Sequence, residues 1–518
     1  MHKRILWVWI AFVLLAGQGR AQDQYRRTVR TFLDTMIEKG TDRYGAEHSP
    51  LFAAMLDLDT MSLPSVKLPE DYFTRDILPE AIGYGIPDPP VGIRPTDRSP
   101  LGNNLEHDIM LLKALYAFSR VSGDPRYARH ADEVLAFWIR RCQSPATGLM
   151  YSGEHASWNF LSEEGYGQIY EVYRRFPFWD KLYAIDPERS LRFADALWLH
   201  QIGDRLVGDY SRHSAIPHHG PSTGAAYPRH AGFYIWAYAN AYAQSRDPKF
   251  IERIEVLIES RTGLQPRPYS LLIQPGSFRC ERSTDPTLRA LLWDAAGLVP
   301  GRREEWRNLV RQLDQRALGS PEMTLVASLH PSNSTGAAQR LPAGQVAELL
   351  SQSGRQVVAD RGLRTVSVKL SPLWNMEYGD AGFSGQALLN YTRWRQTADA
   401  RFLRQVELAA DRYVAEGLPS DTGDLWPRAA GQVISLMAAL SRENAIQAGK
   451  RTQYLEFARR TADLALRVFP KNGLFRADGS ARHYEAITGA DDLVWALLQL
   501  DCELNRCPEP LDPIDVNW

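Results

Sequence analysis

Arg229, His230 and Tyr234 stand together at the start of a helical stretch near Tyr227, just after the polar loop His213-Ser-Ala-Ile-Pro-His-His-Gly-Pro-Ser. Pro228 suits the first helical position, and His230, Tyr234 and Tyr238 at i, i+4 and i+8 fall on one helix face. A guanidinium, an imidazole and a phenol at one helix mouth are what proton abstraction beside a carboxylate requires. The same spacing also describes an ordinary core stripe with satisfied polar tips. His218 and His219 in the preceding loop weigh toward chemistry, because loops at helix mouths carry function more often than cores do.

The elements that must position these residues are helices, and they repeat. Asp124-Pro125, Asp186-Pro187 and Asp247-Pro248 each precede an amphipathic stretch (127–140, 188–202 and 250–260) at separations of about 60 residues, and Asp399 to Phe402 resembles a degenerate fourth copy. Between these copies lie about seven further helix starts, at Asn103 to Glu106, Glu163 to Tyr166, Tyr227 to His230, Asp285 to Leu288, Gly382 to Gly385, Ala430 to Val433 and Ala490 to Leu493. Each repeat reads as a long loop, a helix of aromatic and small residues, an Asp-Pro turn and a more charged helix, a hairpin that cannot bury its apolar face alone. Six or seven such hairpins close into a ring. The expected fold is therefore mainly α, an (α/α) toroid of six to seven hairpins; an open α-solenoid is the structural alternative, with shorter repeats and fewer long loops. The regularity breaks at about 319–372, where 323–329, 355–359 and 364–370 read as strands of a small β insertion over one rim.

Composition bounds the rest. The start reads as a signal peptide over residues 1–21: basic His2-Lys3-Arg4, an apolar run from Ile5 to Ala16 and a small-x-Ala site at Gly19-Arg20-Ala21. A catalytic toroid over 22–518 is expected to follow, periplasmic or extracellular, with no later run of membrane-spanning length. Lys plus Arg total 60 against 61 Asp plus Glu, so no global field attracts nucleic acid or an anionic membrane, and an anionic ligand must be met by local arginines. Four cysteines cannot frame so long a chain; Cys502 and Cys507 are spaced to close a small loop, and no CxxC pair is present.

Laid out in this way, the hairpins, the Asp-Pro-x-Tyr/Phe turns and the aromatic loops resemble exported bacterial carbohydrate-active enzymes with an (α/α) toroid, the polysaccharide lyases and six-hairpin glycosidases. The resemblance covers most of the mature chain as architecture. It implies a lyase that cleaves a uronic-acid polysaccharide by β-elimination: Asn, His or Arg neutralises the sugar carboxylate, a Tyr or His removes the C5 proton, and a Tyr often returns one to the leaving oxygen. Carried onto this chain, Asn159 in the loop Tyr151-Ser-Gly-Glu-His155-Ala-Ser-Trp158-Asn159 and Arg229 become neutralisers, the latter through its planar fork of donors. Tyr234 becomes base or acid, provided that positive charge lowers its pKa from about 10. Its partner is one of His155, His218, His219 and His230.

A hydrolase is the rival. Glu106 and Asp108 at a helix mouth, facing Glu377 or Asp380 across the ring, would suit an inverting glycosidase with carboxyls roughly 6.5 to 9.5 Å apart. Asn103 three residues before Glu106 also has the layout of a reciprocal helix cap, and Asp380 that of a cap in a Gly-rich turn. A non-catalytic glycan-binding toroid is the third class. Loop aromatics Trp158, Trp374, Tyr378 and Trp426 are expected sugar platforms, with Glu106, His218 and Glu377 as polar partners. The partner is thus an anionic polysaccharide. No cofactor is expected; His213 with His218 and His219 offers only a weak metal set, since adjacent side chains converge with difficulty.

Overall fold

The computed structural model describes residues 24–67, 86–94, 97–172, 174–206, 208–218, 220, 228–262, 285–319, 339–342, 365–368, 373–374, 376 and 382–515. Fourteen helices among these build the ring. They are α1 (24–35), α2 (Ile109–Ser122), α3 (Arg126–Arg141), α4 (Trp179–Ile185), α5 (Pro187–Gln201), α6 (Pro228–Ser245) and α7 (Lys249–Thr262). The second half adds α8 (Pro286–Leu298), α9 (Arg303–Gly319), α10 (Gly382–Thr397), α11 (Ala400–Glu416), α12 (Pro427–Ser441), α13 (Ala448–Val468) and α14 (Ala490–Asn505).

Inner and outer helices differ in how their residues are buried. In α3 only Tyr127, Ala131, Val134, Leu135, Trp138 and Ile139 are buried, one stripe at helical spacing, whereas every residue of α12 from Pro427 to Leu440 is buried. Even-numbered helices α6 to α14 pack successively on one another, and α14 packs on α2, which closes the ring. Helix α4 is a short inner member held between α3, α5 and α6. Close approach demands small residues on the inner faces: a Cβ on Gly431 of α12 would lie 2.9 Å from the Asp492 backbone of α14. The seventh outer position falls to α1, whose Tyr25 donates to Asp463 of α13 (2.8 Å), while Asp34 meets Arg126 of α3 (2.6 Å).

The Asp-Pro turns are helix caps. Asp186 Oδ1 accepts from the Arg189 amide (3.1 Å), Asp247 from Lys249 (3.0 Å), and the degenerate Asp399 from Arg401 (3.0 Å). Each satisfies an otherwise orphaned N–H at an outer helix start. Two expected helix starts differ. Glu164–Gly167 is a strand, so the inner helix of that repeat waits until Trp179. Helix α2 begins at Ile109, and Asn103 donates to Phe52 O (2.7 Å) and Asp108 Oδ2 (2.6 Å) instead of forming a reciprocal cap with Glu106.

Short strands line the long loops: β1 (Met55–Asp57), β2 (Gly102–Asn103), β3 (Ala156–Asn159), β4 (Glu164–Gly167), β5 (Ile169–Tyr170), β6 (Ile202–Asp204), β7 (Asp209–Tyr210) and β8 (Ser214–Ala215). Strands β2, β3 and β4 form an antiparallel sheet, β5 pairs with β8, and β6 with β7. Within the expected insertion, β9 (Gln339–Pro342) and β10 (Thr365–Val368) pair antiparallel; the expected strands 323–329 and 355–359 lie outside the described residues, as does the signal segment 1–21. A last hairpin, β11 (Pro470–Lys471) and β12 (Leu474–Phe475), precedes β13 (His483–Glu485), which pairs with β1.

Candidate active site

The site is assembled from strand ends. Strand β5 delivers Glu171 and β8 starts just after Arg212-His213; pairing of Tyr170 with Ser214 therefore brings Glu171 beside His213. A third segment arrives through Gly153, which forms a parallel bridge with Glu171. Gly153 sits at φ +97°, and a Cβ there would lie 2.2 Å from the Glu171 carbonyl oxygen, so only glycine lets the two chains meet. Asn104 fixes this glycine from both sides, donating to its carbonyl (2.6 Å) and accepting from its amide (3.1 Å). The residues after Gly153, Glu154 and His155, are thereby carried to Glu171.

Glu171 is the centre. His213 Nε2 lies 2.9 Å from its Oε2 and His230 Nε2 3.1 Å from its Oε1; Arg212 donates to Oε2, and His155 Nε2 is 3.9 Å from the same oxygen. Arg212 Nη1 also donates to Glu154 Oε2 (2.9 Å), and Arg94 bridges Glu154 to Asp97. Exposure is graded across the cluster, from the Glu171 side chain at 1% through Arg212 at 14% to Arg94 at 56%. A buried anion thus sits under a wall of nitrogen donors that reaches solvent.

Burial alone would raise the Glu171 carboxyl, but Arg212 and hydrogen bonds from Glu154, His213 and His230 hold it well below the usual range. Burial, then the adjacent Glu171 charge, pushes Glu154 well above its ordinary value. Within the pair Glu171 is therefore the stronger acid. Burial raises Asp97 to about 6 against the pull of Arg94, and lowers both His155 and His230 to about 3. Both imidazoles are neutral at pH 7.

One ligand atom from each of Glu154, His155, Glu171 and His213 lies within 4.8 Å of the others. Two neutral-capable imidazoles and two carboxylates are a donor set for a first-row divalent cation such as manganese or zinc. The expectation of no cofactor therefore meets a set of residues that fits one, built on Glu154, His155 and Glu171 rather than on His218 and His219.

The residues singled out in the sequence distribute unevenly. His155 and His230 join the cluster, Arg229 is half-buried beside His230 at the start of α6, and His218 is exposed beyond β8. Tyr234 and Tyr238 do not face a cleft. Both are fully buried, Tyr234 edge-on to Tyr210 at 5.3 Å, and burial pushes its phenol well above the ordinary value, the reverse of what a base needs. Asn159 Oδ1 accepts from the Leu161 (2.8 Å) and Ser162 amides, closing its own turn rather than meeting a carboxylate. Trp158 and Trp426 are buried, at 6% and 1% exposure, and so present no platform; Trp374 is half-buried edge-on to Tyr413. Glu106 is buried, accepts from Tyr170 (3.3 Å) and lines a cavity with Tyr170 and Arg174, while Asp108 is enclosed and accepts from Asn103. His219, Glu377, Tyr378 and Asp380 lie outside the described residues.

Sequence reasoning passed over Glu171, Arg212, Glu154, Arg94 and Asp97. No local pattern marks them: Glu154-His155 and Arg212-His213 are two of seven places where a charged residue directly precedes a histidine, and the partners of Glu171 are set by strand pairing.

Residues 94–229, about a quarter of the chain, match the family model described as periplasmic pectate lyase. That span runs from Arg94 to Arg229 and contains Glu154, His155, Glu171, Arg212 and His213; His230 lies one residue beyond it. Among solved structures the chain is similar to the GH76A alpha-1,6-mannanase from Salegentibacter sp. HEL1_6, at 10% identity over 94% of this chain and 100% of that one, TM-score 0.40. It is also similar to an unsaturated glucuronyl hydrolase specific for heparin, at 11% identity over 94% and 100%, TM-score 0.41. A third is the cellobiose 2-epimerase from Bacillus thermoamylovorans B4167, at 12% identity over 78% and 91%, TM-score 0.41. At such scores the architecture is read from the packing of the chain's own helices.

Proposed function

We propose that this protein is a carbohydrate-active enzyme that cleaves a uronic-acid-containing polysaccharide, of the polygalacturonate type, by metal-assisted β-elimination. The observation that carries the reading is the convergence of His155, Glu171, His213 and Glu154 with Arg212 at a wall open to solvent, within the span that matches the pectate lyase model. Elimination beside a sugar carboxylate needs that carboxylate neutralised, so that charge developing on it as the C5 proton leaves is stabilised. His155, Glu171 and His213 would hold a divalent cation, with Glu154 closing the set. Bound there, the cation would polarise the uronate carboxylate as a Lewis acid.

The chain's own groups do the rest. Arg212 is permanently cationic and partly exposed, and its fork of donors suits the second oxygen or the neighbouring carboxylate of the substrate. His230 donates to Glu171 from the buried side, which fixes the carboxylate's orientation in the way outer partners orient metal ligands. Proton removal falls to a group on the solvent side of the wall rather than to Tyr234, which is fully buried. The substrate's charge explains why a chain of nearly neutral balance concentrates Arg94, Arg212 and Arg229 around one site. Action on such a polymer belongs outside the cytoplasm, in keeping with the expected export.

Product mass tests the reaction class. Incubation with polygalacturonate should yield oligomers whose new ends lack the elements of water, as elimination requires. Oligomers that have gained one water per cut would make the protein a hydrolase, and intact polymer with measurable binding would make it a glycan-binding toroid.

A further inference from the structure

The C-terminal end of α14 lies apart from the candidate active site and carries two thiols. Arg506 takes the left-handed conformation at φ +52°, and the amides of both Arg506 and Cys507 reach the carbonyl of Cys502, the latter at 2.9 Å. This is a Schellman-type helix end, in which the residue after the left-handed position folds back on the third helical residue from the end, usually through an apolar contact. Here the two residues in that contact are Cys507 and Cys502. Ligand atoms of Asp501, Cys502 and Cys507 all lie within 4.8 Å of one another, so the two sulfurs are neighbours. Cys502 is buried at 2% exposure, Cys507 is half-exposed, and both are thiols in this structure.

The surroundings favour an exchange chemistry. Arg26 of α1 binds Asp501 through Nε (2.8 Å), and its Nη2 lies 3.9 Å from Cys507 Sγ, placing a cation beside the accessible sulfur. The thiolate is the attacking species in disulfide exchange, and Cys507 is the more accessible of the two sulfurs. The Asp501 carboxylate is already committed to Arg26, which argues against the same three residues as a metal set. Cys142, by contrast, is buried within the fold, and Cys280 lies outside the described residues.

We propose that Cys502 and Cys507 are a redox pair that closes to a disulfide across the end of α14 and thereby fastens α1 onto the ring. With glutathione disulfide as oxidant, Cys507 thiolate attacks one sulfur, forming a mixed disulfide and releasing one glutathione thiolate. Cys502 then gives its proton to solvent, and its sulfur attacks Cys507 and releases the second glutathione. Two protein thiols are oxidised and one glutathione disulfide is reduced. The product fixes Arg506 in a conformation that costs a non-glycine residue, and holds Asp501 facing Arg26.

The test is to equilibrate the full-length protein with glutathione disulfide, block free thiols with iodoacetamide, and map the digested peptides by mass spectrometry before and after reduction. The pair predicts a Cys502–Cys507 peptide lighter by two hydrogens, carbamidomethylated only after reduction. It also predicts a thermal midpoint a few degrees higher in the oxidised protein, a difference absent in Cys507→Ser. Both thiols labelling freely without reductant would overturn the proposal. So would a disulfide joining either one to Cys142, Cys280 or a second chain, or protection of unoxidised thiols by tightly bound zinc.

Discussion

Glu171 is one carboxylate with three nitrogen-bearing neighbours in contact, and its environment decides which of the chain's many histidines matter. Glu171→Gln keeps the shape and removes the charge, so it should lower kcat/KM roughly 100-fold or more, with metal content falling alongside, since substitution around a metal site commonly costs 10- to 100-fold in affinity or activity. Metal analysis of the purified variant alongside its rate checks both. Tyr234→Phe is the counter-experiment. Its hydroxyl is buried and makes no hydrogen bond among the described residues, so activity should stay within about twofold of the parent and stability should change by less than ~1 kcal/mol. At this scale the sequence was half legible. The Arg, His and Tyr types at the mouth of α6 advertised chemistry, and His155 and His230 both lie against Glu171. Periodicity placed Tyr234 on one face with His230 but could not tell that the face turns inward beyond the first turn. Asn159 and Trp158 are turned away from solvent for a related reason: a residue in a loop need not be exposed when the loop is itself pleated into short strands.

Elements were read more securely than residues, because helical spacing and Asp-Pro caps are local. Asp186, Asp247 and Asp399 were found from their turns, and each caps an outer helix. Asp186→Ala should lower stability by about 1 kcal/mol, measured by urea unfolding, without altering the reaction. The loops were legible only in outline, since β5 and β8 are each two residues long and carry no period of their own. Their pairing depends on a non-local contact, and Gly153 is its tightest point. Gly153→Ala asks an L residue to adopt φ +97° and sets a Cβ against the Glu171 carbonyl. It should therefore cost at least ~1–3 kcal/mol of strain and depress activity along with stability, whereas Gly123→Ala, at φ +73° with open space around it, should cost stability alone. Rates and unfolding midpoints of the two variants separate those effects.

The whole molecule is a ring that must be closed, and closure joins the two ends of the chain. Strand β13 pairs with β1, α14 packs on α2, and Arg98 grips Glu485 through Nε (2.7 Å) and Nη2 (2.8 Å), with His483 3.0 Å from the same carboxylate. Burial would raise the Glu485 carboxyl, but Arg98 and His483 outweigh it and hold it at about 2. A carboxyl depressed on folding contributes stability that is full above its ordinary value of 4.5 and is lost as pH falls from there toward 2. Glu485→Gln should thus destabilise the protein by roughly 3–5 kcal/mol near neutral pH, by removing one charge of a buried ion pair, and the gap should narrow toward pH 3. Urea melts at the two pH values check the sign. The number of hairpins was legible as six or seven from repeats of about 60 residues; the described residues hold seven inner helices, and the outer partner of the last comes from the N-terminal α1, a long-range assignment that no repeat could announce.

All of these scales meet in the claim that the Glu171 cluster performs metal-assisted elimination on a polyuronate. The most direct measurement is the ultraviolet absorbance of unsaturated uronate as the protein acts on polygalacturonate, recorded as purified, after chelation, and after manganese or zinc is restored, with reducing ends counted in parallel. The account predicts absorbance that rises with reducing ends, stops on chelation and returns with the cation. Reducing ends that accumulate without absorbance, or absorbance indifferent to thorough chelation, would contradict it.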